Sequence, residues 1–375
     1  MGTLIEKDLF VETLRGLAIT LVVIGHVIGS ASDGGMQVSD DSFLRYLYYT
    51  FIEFLQMPLF TIIAGWVYAL NPIKQGNFLP FIKKKVYRIL VPMIVVGVLY
   101  FLLQYFVPGT NKKGNLSEIW NLLIFPYTLY WYLYSLFLVF IVITIVDLNK
   151  LMNQISGWLI ILIFSIVILL IRDHVIPVEY PNYLSYKGAI YLFPFFVLGI
   201  GLVRFRFLFQ KKIFVFIITT VLVITYTIQQ LAWFNIIDFP VTENNLTGLL
   251  IGITGTVFLF NLNWQSKSLV WLGAYSYSIF LFHAFGTAGG RIILKFAGIN
   301  SVVLTFTLSL TCGLLLPVLA HKMLNKSNLT RFVFLGLPIL KQDKPIFDYQ
   351  CEDSITGNSA FKYCGPSAYY EIPKF

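Results

Sequence analysis

A chain of 375 residues that is 57% hydrophobic and only 12% charged is too apolar for an ordinary soluble domain, where about a quarter of residues carry charge. Its net charge of +9 would suit nucleic acid in a soluble protein. With a mean hydropathy of +0.77 and the basic residues in short loops between apolar runs, it instead marks topology and contact with anionic headgroups. The three cysteines supply no disulfide framework.

Ten apolar stretches approach the length that crosses about 30 Å of hydrocarbon: 10–30, 45–70, 87–107, 126–146, 157–171, 189–203, 213–233, 248–262, 269–287 and 301–320. The predicted fold class is therefore an all-α polytopic membrane protein of about ten transmembrane helices. Residues 1–320 read as one transmembrane domain. Residues 321–375 read as a polar tail, too short for a separate catalytic domain. No internal repeat is evident.

Lys and Arg set the orientation. With the N-terminus inside, the inner segments before the tail hold 13 of the 27 basic residues and the outer loops seven, among them Arg45, Lys112, Lys113, Arg172, Lys187, Arg291 and Lys295. Both termini are expected in the cytoplasm, which argues against a Cys351–Cys364 disulfide in the tail. Cys312 lies in an apolar run and reads as packing. Ser30, Ala31 and Ser32 could pass for a signal-peptidase site, but Glu6, Asp8 and Glu12 deny the leader a clean basic start.

The first span carries Arg15 near one end and His26 near the other. Eleven residues at about 100° each bring both side chains to one face, roughly 16 Å apart along the axis. Gly25 and Gly29 make a small-xxx-small pair that would admit a neighbouring helix. Ionisable groups inside a spanning helix are costly and mark function. Arg15 at the cytoplasmic mouth suits a phosphate-bearing donor through its charge and bidentate fork. His26, in the outer half of the membrane, suits a general base. The plainer alternatives are an Arg15 that snorkels to the headgroups and a His26 that hydrogen-bonds between helices.

In the second span Glu53 and Gln56 stand at i and i+3, hence on one helical face at about the level of His26. Glu53 could fix the imidazole tautomer, or pair structurally with Arg45. The ninth span places Ser276 and His283 seven residues apart, again on one face. Lys83, Lys84, Lys85 and Arg88 lead into the third span. The run is a topology marker, but Arg88 sits at the membrane surface, where it could add a phosphate contact. Tyr127, Tyr130, Trp131, Tyr132 and Tyr134 crowd the outer end of the fourth span, as an interfacial aromatic belt or as rings that stack on sugar.

Taken together these stretches resemble the acyltransferase 3 family of integral membrane O-acyltransferases. The resemblance rests on Leu14-Arg15-Gly16-Leu17-Ala18 followed by His26, on Met57-Pro58-Leu59-Phe60 with Gly65, and on Arg88-Ile89-Leu90-Val91-Pro92. It continues through Trp131-Tyr132-Leu133, Phe193–Gly199 and Leu272–His283. It spans nearly all of residues 10–320 in order.

The resemblance implies transfer of an acyl group, usually acetyl, from cytoplasmic acyl-CoA to a hydroxyl of an extracytoplasmic or lipid-linked carbohydrate. His26 would be the catalytic base, and Glu53 is expected to assist it from its place on the second span. Arg15 and Arg88 would hold the donor acetyl-CoA. Trp131 and His283 fall on recurring positions and, with Gln56 and Ser276 from the reading of the spans, are expected to contact substrate. Two departures stand out: Gln56 occupies a position where many members have His, and Ala64 one where many have Ser. The expected setting is the bacterial cytoplasmic (inner) membrane, with membrane lipids, acyl-CoA and a glycan or glycolipid as partners. No nucleic acid and no metal are expected, and a protein partner is left open. His26 could act directly as base or carry the acyl group covalently. The competing class is a transporter or flippase of polar lipid-linked sugars, against which the absence of duplicated halves counts.

Overall fold

The computed structural model describes residues 8–111, 114–177, 179–339, 352–354 and 361–363. The membrane-embedded part is all-helical. In chain order the helices are α1 (Leu9–Ile28), α2 (Phe43–Leu47), α3 (Gln56–Leu70), α4 (Phe78–Lys85), α5 (Val91–Phe106), α6 (Trp131–Leu148) and α7 (Ile155–Val175). There follow α8 (Tyr186–Arg204), α9 (Arg206–Phe209), α10 (Lys212–Trp233), α11 (Leu246–Asn261), α12 (Lys267–Ala274), α13 (Ser276–Phe296), α14 (Val302–Leu324) and α15 (Asn328–Leu335). Among the described residues nine helical segments are long and apolar enough to cross a membrane, and the sixteen-residue α11 is a shorter tenth. Two short strands, Glu352–Ser354 and Phe361–Tyr363, pair antiparallel in the tail.

Helix α1 forms the centre. Asp8 caps it by accepting from the Phe10 amide at 3.0 Å. Gly29, expected inside the helix, instead terminates it with φ +89°, its N–H donating to Gly25 O at 2.7 Å. Gly25 does admit a neighbour: a Cβ there would lie 2.8 Å from Gln56 Oε1. Apolar side chains such as Ile160 and Phe164 of α7 and Phe216 of α10 are exposed, as a lipid-facing surface requires.

Two reciprocal glycine contacts lock the centre. A Cβ on Gly16 of α1 would lie 1.9 Å from Leu269 O of α12, and one on Gly273 of α12 would lie 2.3 Å from Glu12 O of α1. Gly65 of α3 and Gly199 of α8 repeat the device, at 2.2 Å from Phe196 O and 2.1 Å from Ile62 O. Backbones touch because lipid offers no hydrophobic drive, so close van der Waals packing must hold the helices together.

Two of the expected spans are corrected. The second span is not one α-helix: a π-helical turn, Tyr48–Ile52, leads to a break before α3 starts at Gln56, so Glu53 and Gln56 do not share an α-helical face. A second π-helical turn, Val86–Leu90, contains Arg88. The ninth span breaks at Tyr275 into α12 and α13, and α13 runs on to Phe296, well past residue 287.

At the Arg15 end of the bundle, Arg204 Nη1 and Nη2 lie 2.6 and 2.8 Å from the two carboxylate oxygens of Asp147, to which Tyr68 Oη also donates at 3.0 Å. Lys85 of the basic run rests its ammonium 3.6 Å from the centre of the Phe140 ring. Within the stretch expected to be a tail, α15 folds back on α5 and Gly336, at φ +61°, brings its backbone against that of Arg88. Lys7, Lys112, Lys113, Cys351, Cys364 and most of the tail beyond Ile339 lie outside the described residues.

Candidate active site

His26 is held two residues before the end of α1, deep among the helices, yet its side chain is exposed rather than packed. It faces a cavity of about 120 Å³ at the end of the bundle opposite Arg15. Among the described residues no hydrogen bond from the protein engages its ring. Its closest aromatic neighbour is His283 of α13, with ring centroids 4.9 Å apart at 47°.

His283 is fully buried. Its Nδ1 lies 2.9 Å from both Ile279 O and Phe280 O. Carbonyl oxygens only accept, so Nδ1 carries the proton of the neutral ring and Nε2 keeps its lone pair. That Nε2 has no partner among the described residues. A buried acceptor left open costs about 1–3 kcal/mol, which makes the open lone pair of His283 near His26 a feature the fold maintains at a price.

The cavity adds polar groups that the sequence did not single out. Tyr100 and Gln104 come from α5, Thr287 and Arg291 from α13, and Ser309 from α14. Tyr127 donates to Gln104 Oε1, and Arg291 donates to Gly35 O, which Asn111 also reaches at 3.2 Å. Thr128, at φ +44°, lines the wall, and such a backbone in a non-glycine residue is characteristic of functional sites. His283, Thr287 and Arg291 follow at i, i+4 and i+8 on α13, a spacing that extends one face. That signal was present in the sequence, but ending the span at 287 assigned Arg291 to a loop.

The other expected site residues are distributed. Gln56 is buried beside Gly25, the residue before His26, and its Nε2 lies 3.5 Å from Tyr48 Oη. Glu53 lies in the electrostatic field of Arg45 and Glu243, and no hydrogen bond joins it to His26 among the described residues. Ser276 opens α13, so it sits roughly 10 Å along the axis from His283. Trp131 opens α6 and faces a second pocket.

Arg15 is half-buried on α1 and pairs with Glu12 at 2.7 Å. The i, i+3 spacing of Glu12 and Arg15 announces that pair. Glu12 Oε2 has no partner among the described residues. Arg88 contributes its carbonyl to Tyr277 Oη at 2.6 Å. The ends of α1 thus present a cation with its counter-charge on one side and an open imidazole on the other.

No solved structure matches the chain. The nodulation protein NolL of Mesorhizobium japonicum is 27% identical over 157 residues, a match that spans 41% of this chain and 39% of NolL. The family described as "Acyltransferase domain", acyltransferase 3, matches residues 8–322. That match takes in every transmembrane helix from α1 to α13 and nearly all of α14, and the chain belongs to the acyltransferase 3 family of membrane acyltransferases.

Proposed function

We propose that the protein is an O-acyltransferase that moves an acyl group, acetyl in the simplest case, from cytoplasmic acyl-CoA to a hydroxyl of a carbohydrate on the other side of a bacterial cytoplasmic membrane. The observation that carries this reading is His26. It stands in a polar cavity at one end of α1 while Arg15 stands about 16 Å away along the same helix.

In the proposed reaction the acceptor enters the cavity from the His26 end. The donor's phosphates stay at the Arg15 end, with its thin arm threading along α1. His26 takes the hydroxyl proton as the oxygen attacks the thioester carbonyl. The C–S bond breaks as the C–O bond forms, and the proton passes from the imidazolium to the leaving thiolate. The positive-inside distribution of Lys and Arg supports this orientation. His283 sets one fixed lone pair beside His26, in the role first assigned to Glu53. Arg88 and Gln56 remain candidates for donor and substrate contacts. Ser276, at the far end of α13, remains a candidate only on the donor side.

The test is CoA dependence in purified protein reconstituted in nanodiscs. Transfer or hydrolysis of radiolabelled acetyl-CoA supports the enzyme. Glycolipid flux in proteoliposomes that is indifferent to acyl-CoA would support a transporter instead.

A further inference from the structure

A second pocket, of about 190 Å³, opens at the His26 end between the first turns of α6 and α8 and the loop that joins α10 to α11. It has no lining residue in common with the His26 cavity, yet the two linings adjoin along the chain. Thr128 and Leu129 line the first, and Trp131, two residues on, lines the second.

The pocket is built around an aromatic face and a partly enclosed carboxylate. Gly188 lets α8 press against the indole, since a Cβ there would lie 2.8 Å from Trp131 Cε3. Ser185, on the pocket wall, and Leu184 before it both adopt left-handed backbone, at φ +59° and +48°. Ser185 Oγ is held 2.9 Å from Ser135 Oγ. Glu243 is partly enclosed on the pocket wall, where Arg172 is its electrostatic partner. Its carboxylate accepts no hydrogen bond from protein among the described residues. Asn182 spends its Oδ1 on the Lys187 amide at 3.0 Å, which leaves its amide N–H groups as donors.

The charge balance decides what kind of ligand fits. Arg172 is already engaged, Nε and Nη2 lying 2.7 and 3.1 Å from the Asp173 oxygens and Nη1 3.0 Å from Lys187 O. Lys187, also on the wall, donates from its ammonium to Pro177 O at 3.1 Å. The two cations are matched by Asp173 and Glu243, so no excess positive charge is left for a phosphate or carboxylate. A pyranose ring meets what it needs: an apolar C–H face for the indole, and hydroxyls that donate to Glu243 and accept from the amides. A largely preformed pocket with a few placed polar groups is the usual form of such sites.

We infer that this pocket is a carbohydrate subsite that holds a neutral pyranose unit of the acceptor, next to the unit whose hydroxyl enters the His26 cavity. The inference rests on the acyltransferase reading for the identity of the acceptor, but not for the binding itself.

The test uses full-length protein in lipid nanodiscs and saturation-transfer NMR with the methyl pyranosides of glucose, galactose, mannose and N-acetylglucosamine. The octyl glycosides below their micellar concentration serve as the lipid-borne form of the same rings. At least one methyl glycoside should bind, and Trp131→Leu and Glu243→Gln should each weaken it at least tenfold, while His26→Ala should still bind it. An octyl glycoside that binds where its methyl counterpart does not, with the same sensitivity to both variants, assigns the subsite to a glycolipid headgroup. No binding by any glycoside, or binding that ignores both variants in protein with unchanged melting behaviour, overturns the subsite. Binding lost in His26→Ala but kept in Trp131→Leu places the sugar in the other cavity and also overturns it. Wild-type protein that binds glycoside as expected but never turns over acetyl-CoA would defeat the acyltransferase reading and leave the subsite standing.

Discussion

The imidazoles of His26 and His283 lie 4.9 Å apart between centroids, yet only His26 opens on the cavity. His283 is anchored through Nδ1 to two carbonyls of its own helix, so its orientation does not depend on what the cavity contains. One ring is fixed and the other is free to meet substrate.

That division of roles sets the expected behaviour of His283. Replacing it with Phe keeps a ring of similar size in a dry site but removes the lone pair. We expect kcat to fall 10- to 100-fold with little change in KM for acetyl-CoA, because general acid–base assistance contributes about 10²–10⁴-fold in all. Steady-state kinetics on the purified variant measure it. An unchanged kcat would reduce His283 to packing.

The glycine contacts predict a contrast between two substitutions. Gly16→Ala drives a methyl into Leu269 O, and backbone cannot yield as a flexible side chain can. Overpacking of this sort costs about 1–3 kcal/mol or more, so folded yield and melting temperature in detergent should both drop. Gly289→Ala, in α13 with open space around its Cβ position, should be neutral or stabilise by up to about 1 kcal/mol through helix propensity. Equal effects at the two sites would show that the close approach of α1 and α12 is not tight.

These contrasts bear on how much was legible beforehand. The spans and their number followed from hydropathy because a bilayer imposes a length on every helix. The shared face of Arg15 and His26 followed because α1 is regular from Leu9 to Ile28. Glu53 and Gln56 failed the same argument because the π-helical turn before them changes the residues per turn without a mark in the hydrophobic pattern. Tyr100 and Gln104 were missed for a different reason. They reach the cavity through tertiary packing of α5 against α13, and no local periodicity encodes which helices become neighbours.

The buried ion pair of Asp147 and Arg204 is a test of structure apart from chemistry. Asp147→Leu leaves a guanidinium with no counter-charge, which costs roughly 3–5 kcal/mol, and also removes the acceptor of Tyr68. The double variant Asp147→Leu/Arg204→Met should recover much of that loss in a thermal melt. A double variant no better than the single would show that the two charges act independently.

Glu243 gives a pH dependence with a definite sign. Burial raises its pKa from the ordinary 4.5 to about 7, against the opposing pull of Arg172. The native state therefore holds this proton more tightly than the unfolded chain does. The group's stabilising contribution is full below about 4.5 and is lost as pH rises toward 7. Glu243→Gln should flatten that part of the melting-temperature profile relative to wild type. Superimposable profiles would contradict the partly enclosed placement of the carboxylate.

The most direct measurement compares His26→Ala with Arg15→Ala in nanodiscs, following binding of radiolabelled acetyl-CoA and acyl transfer in the same samples. His26→Ala should bind donor as wild type does and lose transfer by 10²-fold or more. Arg15→Ala should weaken donor binding, with transfer returning as acetyl-CoA is raised. Transfer at wild-type rate in His26→Ala would contradict its assignment as the base, and donor binding lost in both variants would contradict the separation of donor and reaction ends along α1.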